Sequence, residues 1–383
     1  SSKVEHENDI YYQNLPNELL KQNISSMIAL IDHRKTASLP IRKSIIPNIL
    51  LTKTLDFRSE IKLYFSQLKA VYSCNRIASK LFISRRLRLE IGIRMMSSDS
   101  FNTLRISKKL SNIIAQTKPK SIVFTYEGHA WERLLCYQAH HEAPEIQCLA
   151  YQHSSVFEHQ HAMKRALLPM YNPDMILTSG LISKEQFDVI FKTKKNFIHN
   201  IGSPKFKVKF SERALPVRCC SFLVIPEGIL SECLMLFEFS LLCAVRLPNY
   251  RFIWRLHPII SFDDLKKKSD LFKRLPDNIV LSNKTLEEDV KACDNVIYRG
   301  STAVISAIGS GLRPIYYSRL GELSNDLLFN QKNGKLEVST VLDLEVLAKK
   351  PIIKKDQIEL ISFSQRFYTV LDCKKLIHIF YNT

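Results

Sequence analysis

No stretch of this 383-residue chain supplies the roughly 18–20 uncharged apolar residues that a membrane-spanning helix requires. Its long apolar stretches, such as Ile229 to Leu247, carry charges at Glu232, Glu238 and Arg246, so a soluble chain is expected. There is no CxxC pair either. The nine cysteines (Cys74, Cys136, Cys148, Cys219, Cys220, Cys233, Cys243, Cys293, Cys373) are scattered mostly inside apolar runs and are odd in number. That pattern fits reduced thiols rather than a disulfide framework or a zinc site. Neither GxxxxGKS/T nor GxGxxG occurs, so kinase, NTPase and dinucleotide oxidoreductase activities lack their phosphate cradles. Residues Ser1 to His6 contain no charged-then-apolar leader and no initiator Met, and are expected to follow a trimmed terminus.

Acidic residues are the minority charge: 37 Asp and Glu stand against 55 Lys and Arg, for a formal net charge of +18. Such an excess favours an anionic partner, whether a nucleotide sugar, a phospholipid surface or a nucleic acid. The cations are spread through Lys43, Lys53, Arg85 to Arg88, Lys108, Lys109, Lys192 to Lys195 and Lys266 to Lys268. Each cluster taken singly is equally well an ordinary solvated face. A nucleic-acid partner ranks lowest, because no helix-turn-helix, RNP, KH or zinc module is evident.

With 45% hydrophobic residues, the chain exceeds what a single core usually organises, and two domains are expected. Residues 1 to 115 read as mainly helical, with apolar periodicity in Leu19 to Ile31, Ile61 to Ile83 and Phe101 to Ala115, broken near Pro40 and Pro47. Ser84 to Ile91 has both helix and strand character. From Lys118 the pattern becomes short apolar runs alternating with helix-like segments, which argues for a parallel α/β sheet. A polar, basic, Pro-broken segment around Gly202 to Lys209 separates this unit from a second α/β pattern beginning at Ser221. The expected division is therefore an N-terminal unit over 1–205, with 1–115 as its helical extension, a linker over 206–216 and a C-terminal unit over 217–350. A helical segment over 351–383 follows, expected to pack back on the first unit. Two such units place a ligand between their strand C-termini.

Four short segments at strand ends carry chemistry. Arg299-Gly300-Ser301-Thr302 follows an apolar run and precedes a helix-like stretch, the arrangement in which free backbone N–H groups and the helix dipole converge on an anion. Ser and Thr there are equally good ordinary helix caps. Arg255-Leu256-His257-Pro258 closes another run, and strand alternation sends Arg255 and His257 to one side, where they could meet a phosphate. In the first unit Glu127 of Tyr126-Glu127-Gly128-His129 sits at a strand end, suited to act as a general base or a nucleophile, or merely to cap the next helix. Pro226-Glu227-Gly228 repeats that arrangement in the second unit. His153 is a further candidate cleft residue. His159-Gln160-His161 lacks the spacing and carboxylate of a metal site, so no metal is expected, and His140-His141 at a helix end should meet terminal carbonyls.

Glu127-Gly128, His257-Pro258 and Ser301-Thr302 stand in the order seen in bacterial GT-B glycosyltransferases that use CMP-activated ulosonic acids, and the chain resembles that group over roughly residues 118 to 320. The longer wording Tyr126 to Arg133, with Pro226 to Cys233, resembles surface-carbohydrate transferases, nearest the retaining β-Kdo transferases. The resemblance implies an α/β GT-B fold: two Rossmann-like domains facing a central cleft, with extra N-terminal helices. It implies that His257, Ser301 and Thr302 hold the CMP phosphate, with Gly300 in the same turn, and that Glu127 serves the acceptor side with Gly128, His129 and His153 about it. Tyr126 stands where many sialyltransferases have a second acid, which leaves Glu227, beside Gly228, as a reserve catalytic carboxylate. Arg255 or Arg299 would meet the donor's own carboxylate. No DxD is present, and a monophosphate leaving group needs no Mg²⁺, so no cofactor is expected beyond the CMP-sugar co-substrate.

The expected activity is thus transfer of Kdo or a related ulosonic acid from its CMP donor to a bacterial surface glycan or lipid-linked glycan. The expected place is the cytoplasm, at the anionic inner face of the membrane. The alternatives are a UDP-sugar GT-B transferase, a teichoic-type polyol-phosphate transferase, a noncatalytic sugar-nucleotide binder and a basic nucleic-acid-binding protein.

Overall fold

The computed structural model describes residues 11–31, 46–52, 54–191, 197–206 and 220–381. Every strand pairing in it is parallel, which requires a crossover between neighbours and explains the alternation of strands and helices. The expected linker lies outside the described residues beyond Phe206, as do Lys43, Lys53, Lys192 to Lys195, Pro40 and Cys219.

The N-terminal part is not wholly helical. It contains α1 (Leu15–Lys21), β1 (Ile28–Ile31), β2 (Asn48–Leu51), α2 (Phe57–Lys80), α3 (Arg85–Met95) and α4 (Ser98–Thr117). The apolar spacing over Leu19 to Ile31 predicted one helix, but Asn23 takes a positive φ of 58° just after α1. Asn is among the few residues that adopt this conformation readily, and the Ile-Ala-Leu-Ile run beyond it pairs as a strand with β2, which starts directly after Pro47. The ambiguous Ser84 to Ile91 segment is helical, with the Ser84 hydroxyl accepting from Leu87 N at 3.3 Å as an N-cap.

The first large sheet contains β3 (Ser121–Thr125), β4 (Gln147–Gln152), β5 (Met175–Thr178) and β6 (Ile198–Asn200), adjacent in sequence order. Crossover helix α5 (Ala130–Glu142) joins β3 to β4, and α6 (Leu181–Ile190) joins β5 to β6. One apolar cluster gathers Leu110 and Ile114 of α4 with Leu135 and Ala139 of α5 against Phe124, Cys148 and Ala150. Another places Leu149, Tyr151 and Leu177 against α1.

The second unit runs β7 (Ser221–Ile225), α7 (Leu230–Arg246), β8 (Arg251–Trp254), α8 (Phe262–Lys268), β9 (Ile279–Leu281), α9 (Leu286–Lys291), β10 (Asn295–Tyr298), α10 (Ala303–Gly309), β11 (Arg313–Tyr317), β12 (Leu336–Val338) and α11 (Val341–Ala348). Its strand order, β9-β8-β7-β10-β11-β12, is that of a Rossmann sheet. The chain winds outward one way from β7 and the other way from β10, so these two neighbours form a topological switch point. Its core has two faces: Phe237 of α7 with Trp254 and Phe272 on one, and Ile305 of α10 with Val296 and Tyr298 on the other.

The last helices bridge the units. α12 (Lys354–Phe367) lies on α10, with the Ser364 hydroxyl donating to Ile305 O at 2.9 Å. The chain then follows the first sheet: Thr369 N donates to Ser179 O at 3.1 Å, Ser203 N to Thr369 O at 2.9 Å and Asp372 N to Ile201 O at 2.8 Å. α13 (Cys373–Tyr381) buries Leu376, Ile377 and Ile379 beside Leu15, Leu19 and Leu149.

Candidate active site

The strand order sets the loops after β8, β7 and β10 side by side. Glu227 leaves β7 and lies against Gly300 beyond β10; a Cβ on Gly300 would be 2.7 Å from Glu227 Oε2. Gly300 also has φ +69°, so the close approach and the backbone both call for glycine. Asn325 Nδ2 donates to Glu227 Oε1 at 3.3 Å. On the other side, the His257 ring fills the space left by the missing side chain of Gly228, where a Cβ would be 2.9 Å from the ring. The starts of α7 and α10 have no side-chain cap. Ser301 is buried and Thr302 exposed just before α10. The strand ends thus bring Glu227, Gly228, His257, Gly300, Ser301 and Thr302 into one neighbourhood. Burial pushes the Glu227 carboxyl above its ordinary pKa, and the nearby Glu232 adds to the push, while Arg299 and Asn325 oppose it.

The two arginines of this neighbourhood are already matched. β8 ends at Trp254, so strand alternation no longer governs Arg255, whose Nη1 donates to Asp289 Oδ2 at 2.9 Å and to Lys284 O at 2.6 Å. Arg299 is 4% exposed; its Nε donates to Glu232 Oε2 at 2.7 Å and its Nη2 to Glu322. Both arginines, expected to meet a donor carboxylate, face protein carboxylates in this structure.

In the first unit Glu127, at the end of β3, stands between two imidazoles. Its Oε2 is 3.0 Å from His129 Nε2 and its Oε1 is 3.3 Å from His153 Nε2, the latter from the end of β4. Lys205 reaches the same group, donating to His153 O at 3.4 Å. Desolvation lowers the His153 pKa, as does the Lys205 charge, against the pull of Glu127. The loop is fixed from below by Glu132, a buried side chain whose carboxylate accepts from Glu127 N at 3.0 Å, Gly128 N at 2.7 Å and His129 N at 2.8 Å. Burial pushes Glu132 up to about 7 despite those donors. Gly128 has φ +84°. Tyr126 is a buried phenol that donates to Met163 O at 3.2 Å, and burial pushes its pKa well up.

The other histidines lie elsewhere. His140 Nδ1 is 3.1 Å from Met170 O and its Nε2 is 3.0 Å from Asp174 Oδ2, so it meets a carbonyl and a carboxylate. With Cys148 these side chains form a cluster whose ligand-type atoms lie within 4.8 Å of one another. Hydrogen bonding to the Cys148 sulfur and the Asp174 carboxylate pushes the His140 imidazole up to about 9, against the effect of burial. His159 and His161 are exposed. Eight cysteines among the described residues are free thiols.

Sequence reasoning passed over Glu132, Glu232, Asn325 and Lys205. The first two had a signal: Glu127-Gly128 and Glu227-Gly228 are each followed by a second glutamate at the same spacing. The uses diverge, for Glu132 holds its own loop's N–H groups while Glu232 holds Arg299. Asn325 and Lys205 lie in no such pattern.

No family model matches the chain, and no curated protein matches it. Among solved structures it is similar to a glycotransferase of kitacinnamycin, 12% identical with a TM-score of 0.49, covering 76% of this chain and 82% of that one. It is also similar to Acinetobacter baumannii MurG, 10% identical with a TM-score of 0.49, over 74% of this chain and 79% of that one. A putative UDP-N-acetylglucosamine 2-epimerase from Listeria monocytogenes is 11% identical with a TM-score of 0.49, over 75% and 82% respectively. The fold rests on this chain's own topology: two parallel α/β sheets, the second in Rossmann order, bridged by C-terminal helices in the GT-B manner expected from the sequence.

Proposed function

We propose that the chain is a glycosyltransferase that moves Kdo or a related ulosonic acid from its CMP donor to a glycan or lipid-linked glycan acceptor on the cytoplasmic side of a membrane. The observation that carries this reading is the contact of Glu227 with Gly300 across the β7/β10 switch point, with His257 set against Gly228 beside it. Open parallel sheets bind ligands at such a point, and the start of α7, which has no side-chain cap, offers N–H groups to a phosphate there. The order Glu127-Gly128, His257-Pro258, Ser301-Thr302 favours a CMP-ulosonic donor by resemblance.

In this reading His257, Ser301 and Thr302 hold the phosphate. In a single displacement, which inverts the anomeric centre and so departs from the retaining β-Kdo transferases, Glu127, steadied by His129 and His153, accepts the proton of the acceptor hydroxyl as its oxygen bonds to the anomeric carbon. The bond from that carbon to the phosphate oxygen breaks, and its electron pair leaves with CMP. Glu227, holding a proton more readily than an ordinary carboxyl, stands on the phosphate side, where that proton can stabilise the leaving group. Lys205 is the candidate cation for the donor carboxylate, since Arg255 and Arg299 are committed. No metal is called for, because the leaving group has one phosphate and the sequence has no DxD.

Calorimetry with CMP, CDP and UDP, followed by turnover assays with CMP-Kdo and CMP-sialic acid in EDTA, tests the proposal. CMP should bind preferentially and lose affinity in His257→Ala and Ser301→Ala. Preference for UDP or CDP, or CMP binding indifferent to both substitutions, would overturn the donor assignment.

A further inference from the structure

Helix α2 turns its apolar stripe outward. Phe57, Ile61, Tyr64, Phe65, Leu68 and Tyr72 fall within about 100° of arc at helical spacing, yet all six are exposed, Phe65 at 64% and Tyr72 at 70%. In a surface helix this stripe normally faces a core. Directly beside it Arg58, Lys62, Lys69, Arg76 and Lys80 make a parallel stripe of exposed cations. The turn into α3 carries Leu81 at 67% and Phe82 at 96% exposure, flanked by Lys80, Arg85 and Arg86. Between residues 57 and 96 nine Lys and Arg stand against Glu60 and Glu90, and both carboxylates are paired, with Arg105 and Arg94. The hairpin is a built element: Gln67 Nε2 donates to Met95 O at 2.7 Å, and the Arg105–Glu60 pair at 2.8 Å ties α2 to α4.

We propose that the α2–α3 hairpin docks on an anionic lipid bilayer, with Leu81 and Phe82 entering below the headgroups and the flanking cations meeting lipid phosphates. An apolar stripe beside a cationic one is the pattern of a helix lying in the interface plane, and no helix among the described residues is long and apolar enough to span. A nucleic acid would satisfy the cations but gain nothing from Leu81, Ile61 and Leu68, which acyl chains would cover. A second copy of the chain would bring two hairpins of the same positive charge face to face. The surface lies on α2 and α3, apart from the strand-end groups, so it stands whatever the donor is.

The test is co-sedimentation of the full chain with phosphatidylcholine vesicles with and without phosphatidylglycerol. Binding should require the anionic lipid and weaken with salt. Arg85→Ala/Arg86→Ala should weaken it on the order of tenfold or more, and Leu81→Glu/Phe82→Glu should weaken it at least as much while leaving the melting temperature and CMP titration unchanged. Equal binding to neutral vesicles, or a Leu81→Glu/Phe82→Glu variant that binds like the parent, would overturn the proposal. So would a dimer in velocity sedimentation that this variant dissolves, or RNA that competes with vesicles and binds the variant undiminished.

Discussion

Arg299 Nε donates to Glu232 Oε2 at 2.7 Å, and this pair lies directly behind the Ser301-Thr302 turn. The guanidinium is almost wholly buried and its Nη2 also meets Glu322, so it holds β10's end to α7 and to the loop after β11. Removing one partner of a buried pair leaves the other charge uncompensated. Arg299→Ala should therefore cost about 3 kcal/mol or more of stability. Denaturant unfolding checks this; an unchanged midpoint together with a weakened donor affinity would return Arg299 to the role of a ligand cation.

Two glycine substitutions separate the halves of the phosphate side. Gly300→Ala places a methyl 2.7 Å from the Glu227 carboxylate and 2.9 Å from Asn325 Nδ2, on a backbone with φ +69°. It should cost about 1–3 kcal/mol and lower kcat by displacing Glu227. The Gly228 backbone lies outside the left-handed region, so Gly228→Ala strains no backbone and meets only the His257 ring and the Ile259 side chain. It should therefore weaken CMP binding with a smaller change in stability. Paired calorimetry and unfolding on both variants would show the two effects, and identical behaviour would mean that the two sides of the switch point are not distinct.

Much of the sheet framework was legible in the sequence because parallel strands buried on both faces read as continuous apolar runs. Met175–Thr178, Ser221–Ile225, Asn295–Tyr298 and Arg313–Tyr317 are such strands, whereas Ser121–Thr125 is only partly buried and the edge strand Ile279–Leu281 is half exposed. The β1–β2 pair was not legible, since Leu19 to Ile31 suits a helix face until Asn23 stops it. At the site, the motifs at strand ends were visible as short words, but their company was not. That Arg255 belongs to Asp289 and Arg299 to Glu232 is a matter of partners 34 and 67 residues away, which no local spacing encodes. The neighbour relation of Glu227 and Gly300 likewise exists only because β10 returns to lie beside β7.

The His140 cluster makes stability depend on pH. Its imidazole is held up to about 9 in the folded chain, above the ordinary value of 6.5. A raised folded pKa means that the contribution is complete below about 6.5 and is lost as pH rises through about 9. The difference in unfolding free energy between the parent and His140→Gln should shrink by on the order of 2 kcal/mol between those limits. A difference that stays flat from pH 6 to pH 10 would show that Asp174 and Cys148 do not hold the charged form.

Glu227 gives the corresponding prediction for rate. Burial and the neighbouring Glu232 hold its proton above the ordinary carboxyl range, with Arg299 and Asn325 pulling the other way. If that proton assists departure of the phosphate, kcat falls as pH rises through the raised pKa, because the ionised form can no longer donate and repels the leaving anion. Glu227→Gln keeps the size and a donor but cannot titrate. It should lower kcat by about 10²–10⁴ and remove that alkaline limb. Glu127→Gln should lower kcat by a similar factor while leaving the limb due to Glu227 in place, since the two carboxylates act on opposite ends of the transfer. Full pH–rate profiles of both variants and the parent distinguish these outcomes. A Glu227→Gln enzyme with parental kcat and an unchanged profile would leave Glu227 as a wall of the phosphate site and move the chemistry to the Glu127 side alone.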